Sequence, residues 1–378
     1  MKFTDCVYIT GESCKKYNGN KNYISTGAVD EDHIDQSQVE SVSYDSKPSR
    51  ANLITDDNSI LFAKMQSTKK TLLINQELKE NVYSTGFFSV APKENILNRK
   101  CLYHLLASKT FLNQKDKYCS GATQKAITLE GLNKIEINIP KFEEQKSIAK
   151  KLDAIKQMIS SYNEILNKYD ELIKARFIEM FDDAPVKKIE DVCESFKIGP
   201  FGSALHKNEI SDNGYSFVLG TDNAVKNEFA YDEIRYINEE KYHQLENYKV
   251  NPGEIIMSMM GTVGRVAIIP ENIGTAIISS HLCILRVNKN IMLPEFFHLA
   301  FCKDNNIQFQ IEGIHNGSIM KGFNLKIVKA FEIKCPNIKE QKEFVKFAKQ
   351  ADKSKLVVQK SLEKTQQLFD SLMQEYFG

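Results

Sequence analysis

The chain of 378 residues lacks the motifs that mark several classes of enzyme and metal protein. It has no G-x-x-x-x-G-K-[ST] loop, which excludes the phosphate cradle of a P-loop nucleotide-binding protein. Pro-Pro occurs nowhere, so an amino-methyltransferase motif that holds a flipped base is absent. The eight cysteines include no Cys-x-x-Cys pair, so neither a zinc ribbon nor a redox motif is indicated, and we expect buried, reduced thiols.

The chain also lacks a long apolar run and an excess of charge. No stretch approaches the roughly 18 consecutive apolar residues of a membrane span, and no basic leader precedes an apolar segment. We therefore expect a cytoplasmic protein that does not bind a membrane. Lys and Arg number 50 and Asp and Glu 49, a formal net charge of +1. This balance argues against a histone-like nucleic-acid binder, although a neutral average can hide local basic patches.

What the sequence does contain is a long internal repeat. The segment SGATQKAITLEGLNKIEINIPKFEEQKSI matches NGSIMKGFNLKIVKAFEIKCPNIKEQKEF at a separation of 196 residues. Weaker matches join NSILFAKM with GEIIMSMM and LYHLL with FFHLA. The chain is therefore a duplicated unit of globular domain plus helix. The aligned residues include Gly121 with Gly317, Lys125 with Lys321, Leu129 with Leu325, Pro140 with Pro336 and Glu144-Gln145-Lys146 with Glu340-Gln341-Lys342.

Each repeat ends in a segment with the heptad pattern of a coiled coil, in which apolar residues alternate four and three apart. The predicted seams are Ile148, Leu152, Ile155, Ile159, Tyr162, Leu166, Tyr169 and Ile173, and Phe344, Ala348, Ala351, Lys355, Val358, Leu362, Thr365, Phe369, Leu372 and Tyr376. Lys355 and Thr365 interrupt the second seam. They either fix its register, as polar seam residues do, or are exposed by a local twist.

The starts of the two helices are also marked. Pro140 and Pro336 end the preceding strands, and Asn337 with Glu340 has the spacing of a capping box. Two such helices, each about 50 Å long, can bury their apolar stripes against each other in an antiparallel pair. The repeat would then have a pseudo-twofold axis. The alternative is that each helix pairs with another chain.

Short β-like runs separated by turns fill the remaining segments. We predict an α+β fold: two domains of mixed α/β type, joined by two long antiparallel coiled-coil helices in a pseudo-twofold repeat. The predicted domains are 1–141 and 183–337, and the predicted helices are 142–182 and 338–378.

Histidines next to serine or on apolar helices are the remaining candidates for chemistry. Ser280 and His281 could act as nucleophile and base, but no G-x-S-x-G elbow surrounds them, and neighbouring strand residues point to opposite faces. We interpret them as strand-end or ligand-contact residues. His104 and His298 are equivalent in the repeat and are interpreted as core or subunit-facing residues. Neither a catalytic residue nor a metal site is predicted.

With its repeated IP…EQK junction and heptad helices, the whole sequence resembles the specificity subunits of type I restriction-modification systems. KIGPFGSALHKNEI and YINEEKYHQLENYKVNPGEIIMSMMGTVGRVAIIP, in the second repeat, look like the family's target recognition domains. YISTGAVDEDHI, KPSRANLI and YSTGFFSV, in the first, look like another version of the same domain. The resemblance implies two target recognition domains that each read half of a split sequence in double-stranded DNA. The helix pair would set the gap between the halves.

The resemblance also implies what the chain does with other proteins. It implies no catalysis by this chain and docking of two methyltransferase subunits, which modify adenines with S-adenosylmethionine. Restriction subunits that use ATP and Mg²⁺ join some complexes of this kind. No cofactor is expected in this chain itself.

DNA contacts are expected from side chains that read base edges or hold phosphates, clustered at loops. In the first domain we select Lys47, Ser49, Arg50, Lys64, Gln66, Lys69, Lys70, Thr123, Gln124 and Lys125. In the second we select Ser203, Lys207, Thr262, Arg265, Ser280, His281, Asn316, Ser318 and Lys321. The equivalent loops SGATQKA and NGSIMKG weigh most, because glycine lets backbone approach phosphate while a lysine is within reach.

Three other interpretations remain open at this point. Each of those loops could be an ordinary strand connection with a solvated lysine. The chain could be a coiled-coil adaptor that bridges two proteins without binding DNA. It could also be a hydrolase that uses Ser280 and His281.

Overall fold

The computed structural model describes residues 1–201, 204–233, 235–316 and 322–378. The chain divides into two compact units: Met1–Glu164 with Gln359–Gly378, the first unit, and Ile165–Val358, the second unit. Each unit contains one globular domain and a part of each long helix. Because this division passes through both helices, the domain boundaries predicted above stay a prediction.

The first unit is built from thirteen short strands and four short helices, followed by the first long helix. The strands are β1 Val7–Ile9, β2 Glu12–Ser13, β3 Asn20–Ile24, β4 Val29–Asp30, β5 His33–Ile34, β6 Glu40–Ser43, β7 Ala51–Ile54, β8 Ile60–Ala63, β9 Thr71–Leu73, β10 Val82–Ser84, β11 Phe87–Pro92, β12 Cys119–Ser120 and β13 Ala126–Ile127. The helices are α1 Phe3–Cys6, α2 Arg99–Ala107, α3 Lys109–Lys117 and α4 Leu129–Leu132, and the long helix is α5 Phe142–Phe181.

Two sheets organise this unit. One is four-stranded and antiparallel in the order β1-β11-β8-β9, and the other is five-stranded in the order β2-β7-β10-β3-β6. Strand β8, with the sequence ILFA, is buried on both faces, which explains why its apolar residues do not alternate with polar ones. Helices α2 and α3 cover the four-stranded sheet, and Phe3, Phe62 and Phe111 meet there in a cluster of aromatic rings.

The second unit repeats the same plan with fewer strands. Its strands are β14 Val186–Lys188, β15 Cys193–Ile198, β16 Ser216–Leu219, β17 Tyr236–Ile237, β18 Ile255–Ser258, β19 Val266–Ile268, β20 Ala276–Ile278, β21 Leu282–Val287 and β22 Glu332–Lys334. Its helices are α6 Ile189–Val192, α7 Glu239–Gln244, α8 Pro294–Lys303, α9 Asn305–Asn316 and α10 Leu325–Ala330, and the second long helix is α11 Ile338–Phe377.

The main sheets of the two units share their strand order. The order β15-β21-β18-β19 reproduces β1-β11-β8-β9, and β20-β16-β17 reproduces β10-β3-β6, including the parallel pairing of its first two strands. Strands β2 and β7, at the end of the five-stranded sheet, belong to the first unit only among the strands described. The α+β fold and the duplication are therefore confirmed, and the extra strands make the first domain a different version of the second.

The heptad seams are confirmed along both long helices. Every predicted seam position of α5 and α11 is buried or half-buried. In the second unit the Asp170 carboxylate of α5 accepts a hydrogen bond from Lys355 Nζ of α11 at 2.8 Å. Further along, the rings of Phe177 and Phe344 lie 5.5 Å apart. Because residue numbers rise on one helix as they fall on the other, the helices are antiparallel, and Lys355 is a polar seam residue with a partner.

The same orientation holds in the first unit. Ile148, near the start of α5, shares a buried cluster with Phe377, near the end of α11. Thr365, the second polar seam residue, donates its hydroxyl to the Ser361 carbonyl of its own helix at 2.8 Å. Thr365 therefore satisfies its hydroxyl without a partner across the seam.

The EQK motif that is written twice has a structural role in both copies. The Gln145 side chain is fully buried; its Nε2 donates to the carbonyls of Ile96 and Pro140, both at 3.0 Å, and its Oε1 accepts from Asn98 N at 2.7 Å. An unpaired buried polar group is costly, so three satisfied bonds hold the helix start firmly in place.

Gln341 makes the same three kinds of bond in the second unit. Its Nε2 donates to the carbonyls of Ile291 and Pro336, and its Oε1 accepts from Leu293 N at 2.8 Å. Each long helix is thus tied to its own domain by a buried glutamine.

Two smaller predictions have different outcomes. The capping box at the start of α11 is confirmed, since Glu340 N donates to Asn337 Oδ1 at 3.1 Å and Asn337 N donates to Glu340 Oε2 at 3.2 Å. The eight cysteines are unpaired, as expected, but they are not all buried. The half-buried ones are Cys119, Cys193 and Cys302.

Candidate nucleic-acid interface

In the first unit, several loops meet at one end of the sheets. Residues 64–70, which follow β8, lie beside the β12–β13 hairpin: Ile127 N donates to the Lys64 carbonyl at 2.9 Å, and Met65 forms a β-bridge with Ala126. The turn between β10 and β11 lies at the same end, because Lys64 N donates to the Gly86 carbonyl at 2.8 Å. We call segments 64–70, 84–86 and 121–126 the first loop edge.

Arg50 and four predicted contact residues of the first loop edge are joined to one another or to the backbone of that edge. Arg50 Nη2 lies 3.5 Å from Gln124 Oε1, at hydrogen-bond distance. Lys64 Nζ donates to the Thr85 carbonyl at 2.8 Å, and burial lowers its pKa below the ordinary value. Gln66 N donates to the Lys125 carbonyl at 3.0 Å. Arginine, lysine and glutamine side chains, the types that contact bases and phosphates, are therefore brought together from segments far apart in sequence.

The hairpin that carries the strongest prediction depends on a glycine. Gly121 has a φ of +132°, and a Cβ added to it would lie 2.6 Å from the Gln124 carbonyl oxygen. A larger residue there would force the hairpin open. The Thr123, Gln124 and Lys125 side chains that follow are exposed. They are accessible to a nucleic acid.

Three further candidates of the first domain, all lysines, bond to protein groups. Lys47 donates to the Ala51 carbonyl at 2.7 Å, Lys70 donates to the Thr26 carbonyl at 2.7 Å, and Ser49 is exposed. Bonds to carbonyls leave the lysine charge unneutralised. Lys69 differs, because its ammonium lies 3.4 Å from the Glu31 carboxylate, which offsets its charge.

The second unit has an edge of the same construction. Met260 forms a β-bridge with Gly322, and Phe323 N donates to the Met259 carbonyl at 2.8 Å. The equivalent bonds in the first unit are the bridge of Met65 with Ala126 and the hydrogen bond from Ile127 N to the Lys64 carbonyl. Segments 259–265, 279–281 and 322–323 are called the second loop edge.

A buried serine shapes the turn that contains Thr262 and Arg265. Ser258 Oγ donates to the Thr262 carbonyl at 2.6 Å and accepts from Arg265 N at 2.9 Å. Gly261 and Gly264 have φ values of +74° and +73°, the left-handed region that favours glycine. The result is a tight turn in which Thr262 is exposed and Arg265 half-buried.

Ser280 and His281 lie in the turn between β20 and β21. His281 is exposed, and its carbonyl accepts from Met259 N at 2.8 Å, which joins this turn to the rest of the second loop edge. Gly199 packs so closely that an added Cβ would lie 2.0 Å from the Ser279 carbonyl oxygen. Within the described residues no hydrogen bond joins the Ser280 and His281 side chains.

The remaining candidates of the second domain are less well defined. Lys207 is exposed in a single 3-10 turn, Lys207–Glu209. Ser203, Ser318 and Lys321, together with the side chain of Asn316, lie outside the described residues.

Sequence reasoning missed two residues beneath the first loop edge. Lys115 and Asp116 of α3 bond to residues 65–68 from below. Their segment, FLNQKDK, has the polar pattern of an exposed helix end, so no local signal distinguishes them. Only the tertiary fold brings them under a loop 50 residues earlier in the chain.

The two repeat-equivalent histidines are core residues, in agreement with their interpretation. His104 is buried, and its Nε2 lies 2.8 Å from Asp153 Oδ1. His298 is half-buried, and its Nε2 donates to the Asn227 carbonyl at 2.7 Å. Across the described ranges, no group of three or more His, Cys, Asp or Glu side chains is arranged to hold a metal ion. In that same part of the chain, no helix has the length and apolar character needed to cross a membrane.

Comparison with known proteins identifies the family of both domains. The model of the type I restriction modification DNA specificity domain matches twice, at residues 6–169 and 182–366. The specificity subunit of the Escherichia coli type I restriction enzyme EcoBI is 23% identical over 321 residues, which cover 75% of this chain. The matched region is 66% of that subunit's own length, just under two thirds.

Solved structures agree at the level of the fold. The type I restriction-modification system S subunit from M. genitalium superposes with a TM-score of 0.58 at 15% identity, covering 100% of this chain and 95% of that one. A chain from a structure of type I R-M complex assembly and conformational transition gives a TM-score of 0.64 at 16% identity, with 100% and 96% covered. With two family domains spanning most of its length, this chain belongs to the type I restriction modification DNA specificity domain family.

Proposed function

We propose that this chain is the DNA sequence-recognition subunit of a type I restriction-modification complex, with each unit reading one half of a bipartite target. One observation carries the proposal. The two loop edges share the same backbone bridge, Met65–Ala126 in one unit and Met260–Gly322 in the other, but present different side chains. Two readers of unlike half-sites need this combination of equal construction and unequal surface.

The side chains at the edges suit the two tasks of a DNA reader. Arg50 and Gln124 are of the types that pair with guanine and adenine edges, respectively. Lys64, Lys70 and Lys125 supply positive charge for phosphates, as do Lys207 and Arg265 in the second unit. Since the chain as a whole carries a net charge of only +1, local concentration of these groups supplies the attraction to DNA.

The long helices supply the spacing between the half-sites. Each contains 40 residues, a length of about 60 Å at 1.5 Å per residue. Half-sites must lie on compatible faces of the duplex, so their separation is a geometric property of whatever joins the readers. Helices with a continuous packed seam keep that separation more constant than a flexible linker.

The catalytic steps belong to other subunits in this proposal. Two methyltransferase subunits dock on the chain and use S-adenosylmethionine to modify adenines, and restriction subunits that use ATP and Mg²⁺ join the same assembly. The assembly acts in the cytoplasm, where its DNA lies. This chain contributes target choice and needs no cofactor of its own.

Selection from random DNA tests the proposal. The chain, co-purified with its methyltransferase partner, is incubated with a pool of random duplexes, and the bound fraction is sequenced beside that of the partner alone. We expect a split motif with a fixed gap only when the chain is present. A partner that stays attached to the chain but selects no motif would support the coiled-coil adaptor without DNA binding.

Lys125 offers a test of a single phosphate contact. In the same complex, Lys125→Ala should weaken binding and reduce the salt dependence by about one unit of slope, because one fewer counterion is released. Lys174 of α5 is exposed on a long helix, so Lys174→Ala is the matched control and should leave the slope unchanged. An unchanged slope for Lys125→Ala would remove that residue from the interface.

A further inference from the structure

The first loop edge contains a fully buried lysine beneath its outermost loop. Lys115 Nζ donates to the carbonyls of Met65 at 2.7 Å and Thr68 at 2.8 Å, and it lies 3.3 Å from Asp116 Oδ1. Burial lowers the pKa of Lys115 below the ordinary lysine value, and Asp116 opposes this effect. An ammonium group is thus held out of water between two loop carbonyls and one carboxylate.

The neighbouring carboxylate holds the same loop at its centre. Asp116 Oδ2 accepts from Ser67 N at 3.0 Å, and the Asp116 carbonyl lies 3.4 Å from Gln66 Nε2. Ser67 has a φ of +56°, a left-handed conformation that is unfavourable for residues other than glycine. Two consecutive residues of α3 therefore maintain a loop shape that residues 65–68 would not favour alone.

The second unit shows that the fold does not require this charge. Gln114 makes paired bonds with the backbone of Glu136, and Gln310 makes the same pair with Glu332. This correspondence aligns α3 with α9 and sets Ile311 at the position of Lys115. There, a Cβ added to Gly264 would lie 3.1 Å from Ile311 Cδ1, so an apolar side chain packs beneath the equivalent loop.

Because Ile311 occupies the equivalent position, the fold itself does not need a charged residue where Lys115 lies, and the role of Lys115 concerns the loop above it. Burying an ammonium carries a desolvation penalty of several kcal/mol, so an apolar residue is the simpler choice where only packing is required. Lys115 bonds to carbonyls of residues 65 and 68 on either side of Gln66 and Ser67. Its bonds therefore constrain the loop that presents Gln66 to solvent.

We propose that Lys115 is a positioning residue of the first loop edge, which fixes residues 65–68 in one conformation and makes recognition of the first half-site strict. The inference rests on the proposed function and adds to it a residue that touches no DNA. Asp116 acts with Lys115 by holding Ser67. The second half-site obtains its strictness from a turn that is packed on Ile311 instead.

A methylation map of the host DNA tests this role in the intact complex. Lys115→Met keeps the length of the side chain and removes its charge. We expect discrimination at base positions of the first half-site to fall about tenfold, the effect of losing one base-pair preference, while the second half-site and the gap stay unchanged. Gln66→Ala identifies the positions that this loop reads, and Lys115→Met should relax those same positions.

Two further variants serve as controls for this experiment. Ile311→Met, at the equivalent position of the second unit, should leave the first half-site strict. Asp116→Ala removes the acceptor for Ser67 N and the carboxylate beside Lys115. It carries the test if Lys115→Met fails to assemble with its partner, and it should relax the same positions. Methylation that falls equally at all sites with both half-sites still strict would overturn the inference. Absence of any split motif with the unaltered chain would instead contradict the proposed function.

Discussion

At the scale of single residues, equivalent positions of the repeat have kept their structural role with different partners. His104 is buried and pairs with a carboxylate of α5, whereas His298 is half-buried and donates to the Asn227 carbonyl. Burial lowers the pKa of both histidines below the ordinary value, and Asp153 opposes the shift at His104 without reversing it. Both rings are therefore neutral in the folded protein at neutral pH.

This burial predicts a loss of stability in weak acid. The folded protein binds fewer protons at these histidines than the unfolded chain, so their contribution is fully present above the ordinary histidine pKa of about 6.5 and decreases below it. Melting temperatures measured between pH 7.5 and pH 5.5 should fall for the unaltered chain. In the double variant His104→Gln with His298→Gln, the fall should be smaller. An identical slope in both proteins would show that other groups control the acid response.

Residue identity at the loop edges was only partly predictable. Loop glycines next to lysines drew attention to the β12–β13 hairpin, whose DNA contact stays a prediction, and Arg50 and Gln124 do come together. The chosen lysines could not be ranked, because a charge pair such as Lys69 with Glu31 depends on loops that are 38 residues apart. Lys115 was missed for the same reason.

At the scale of elements, local periodicity predicted the long helices and the presence of short strands. It did not predict which strands pair in the sheets. The seam of α5 could be read from one stretch of sequence, since a helix is stabilised by neighbours along the chain. The parallel pair β3–β10 joins residues about 60 apart, and no local pattern specifies that pairing. Helices α3 and α9 were also not predicted, because each follows another short helix with almost no break.

The buried glutamines predict how the helix starts are anchored. Replacing Gln145 or Gln341 with leucine removes three hydrogen bonds and leaves backbone groups of the preceding loop unsatisfied, which should lower the free energy of unfolding by about 3 kcal/mol. Denaturant unfolding of the complete chain measures this value. Lys146 is exposed one residue further on, so Lys146→Ala is the control and should change stability little. Equal effects of the glutamine and lysine changes would mean that the glutamine bonds contribute nothing net.

At the scale of the whole molecule, the duplication explains why one chain contains two domains of the same family and two long helices. The four-stranded sheets have the same order in both units, and β7, an additional strand in the five-stranded sheet of the first unit, begins directly after Arg50. The family assignment could be reached from sequence because the repeated junction and heptads are contiguous motifs. The bases of the target could not, because they depend on loop shapes that only the tertiary fold determines.

If the long helices set the gap between half-sites, changing their length should change the gap. One heptad inserted in each helix, after Glu164 and after Val358, keeps the seam in phase and adds about 10 Å, equivalent to about three base pairs. The methylated motif should keep both half-sites and gain that spacing. A heptad inserted in the exposed turn at Asn18–Gly19 should leave the gap unaltered. An unchanged gap after the helix insertions would contradict the spacing role.

A methylome tests most directly the proposal that this chain selects a bipartite DNA target. The chain is expressed with its methyltransferase partner in a host that lacks the system, and modified adenines are mapped beside a host that carries the partner alone. We expect one split motif with a fixed gap that appears only with this chain. If the partner is active and co-purifies with the chain, but no new motif appears, the chain is not the reader.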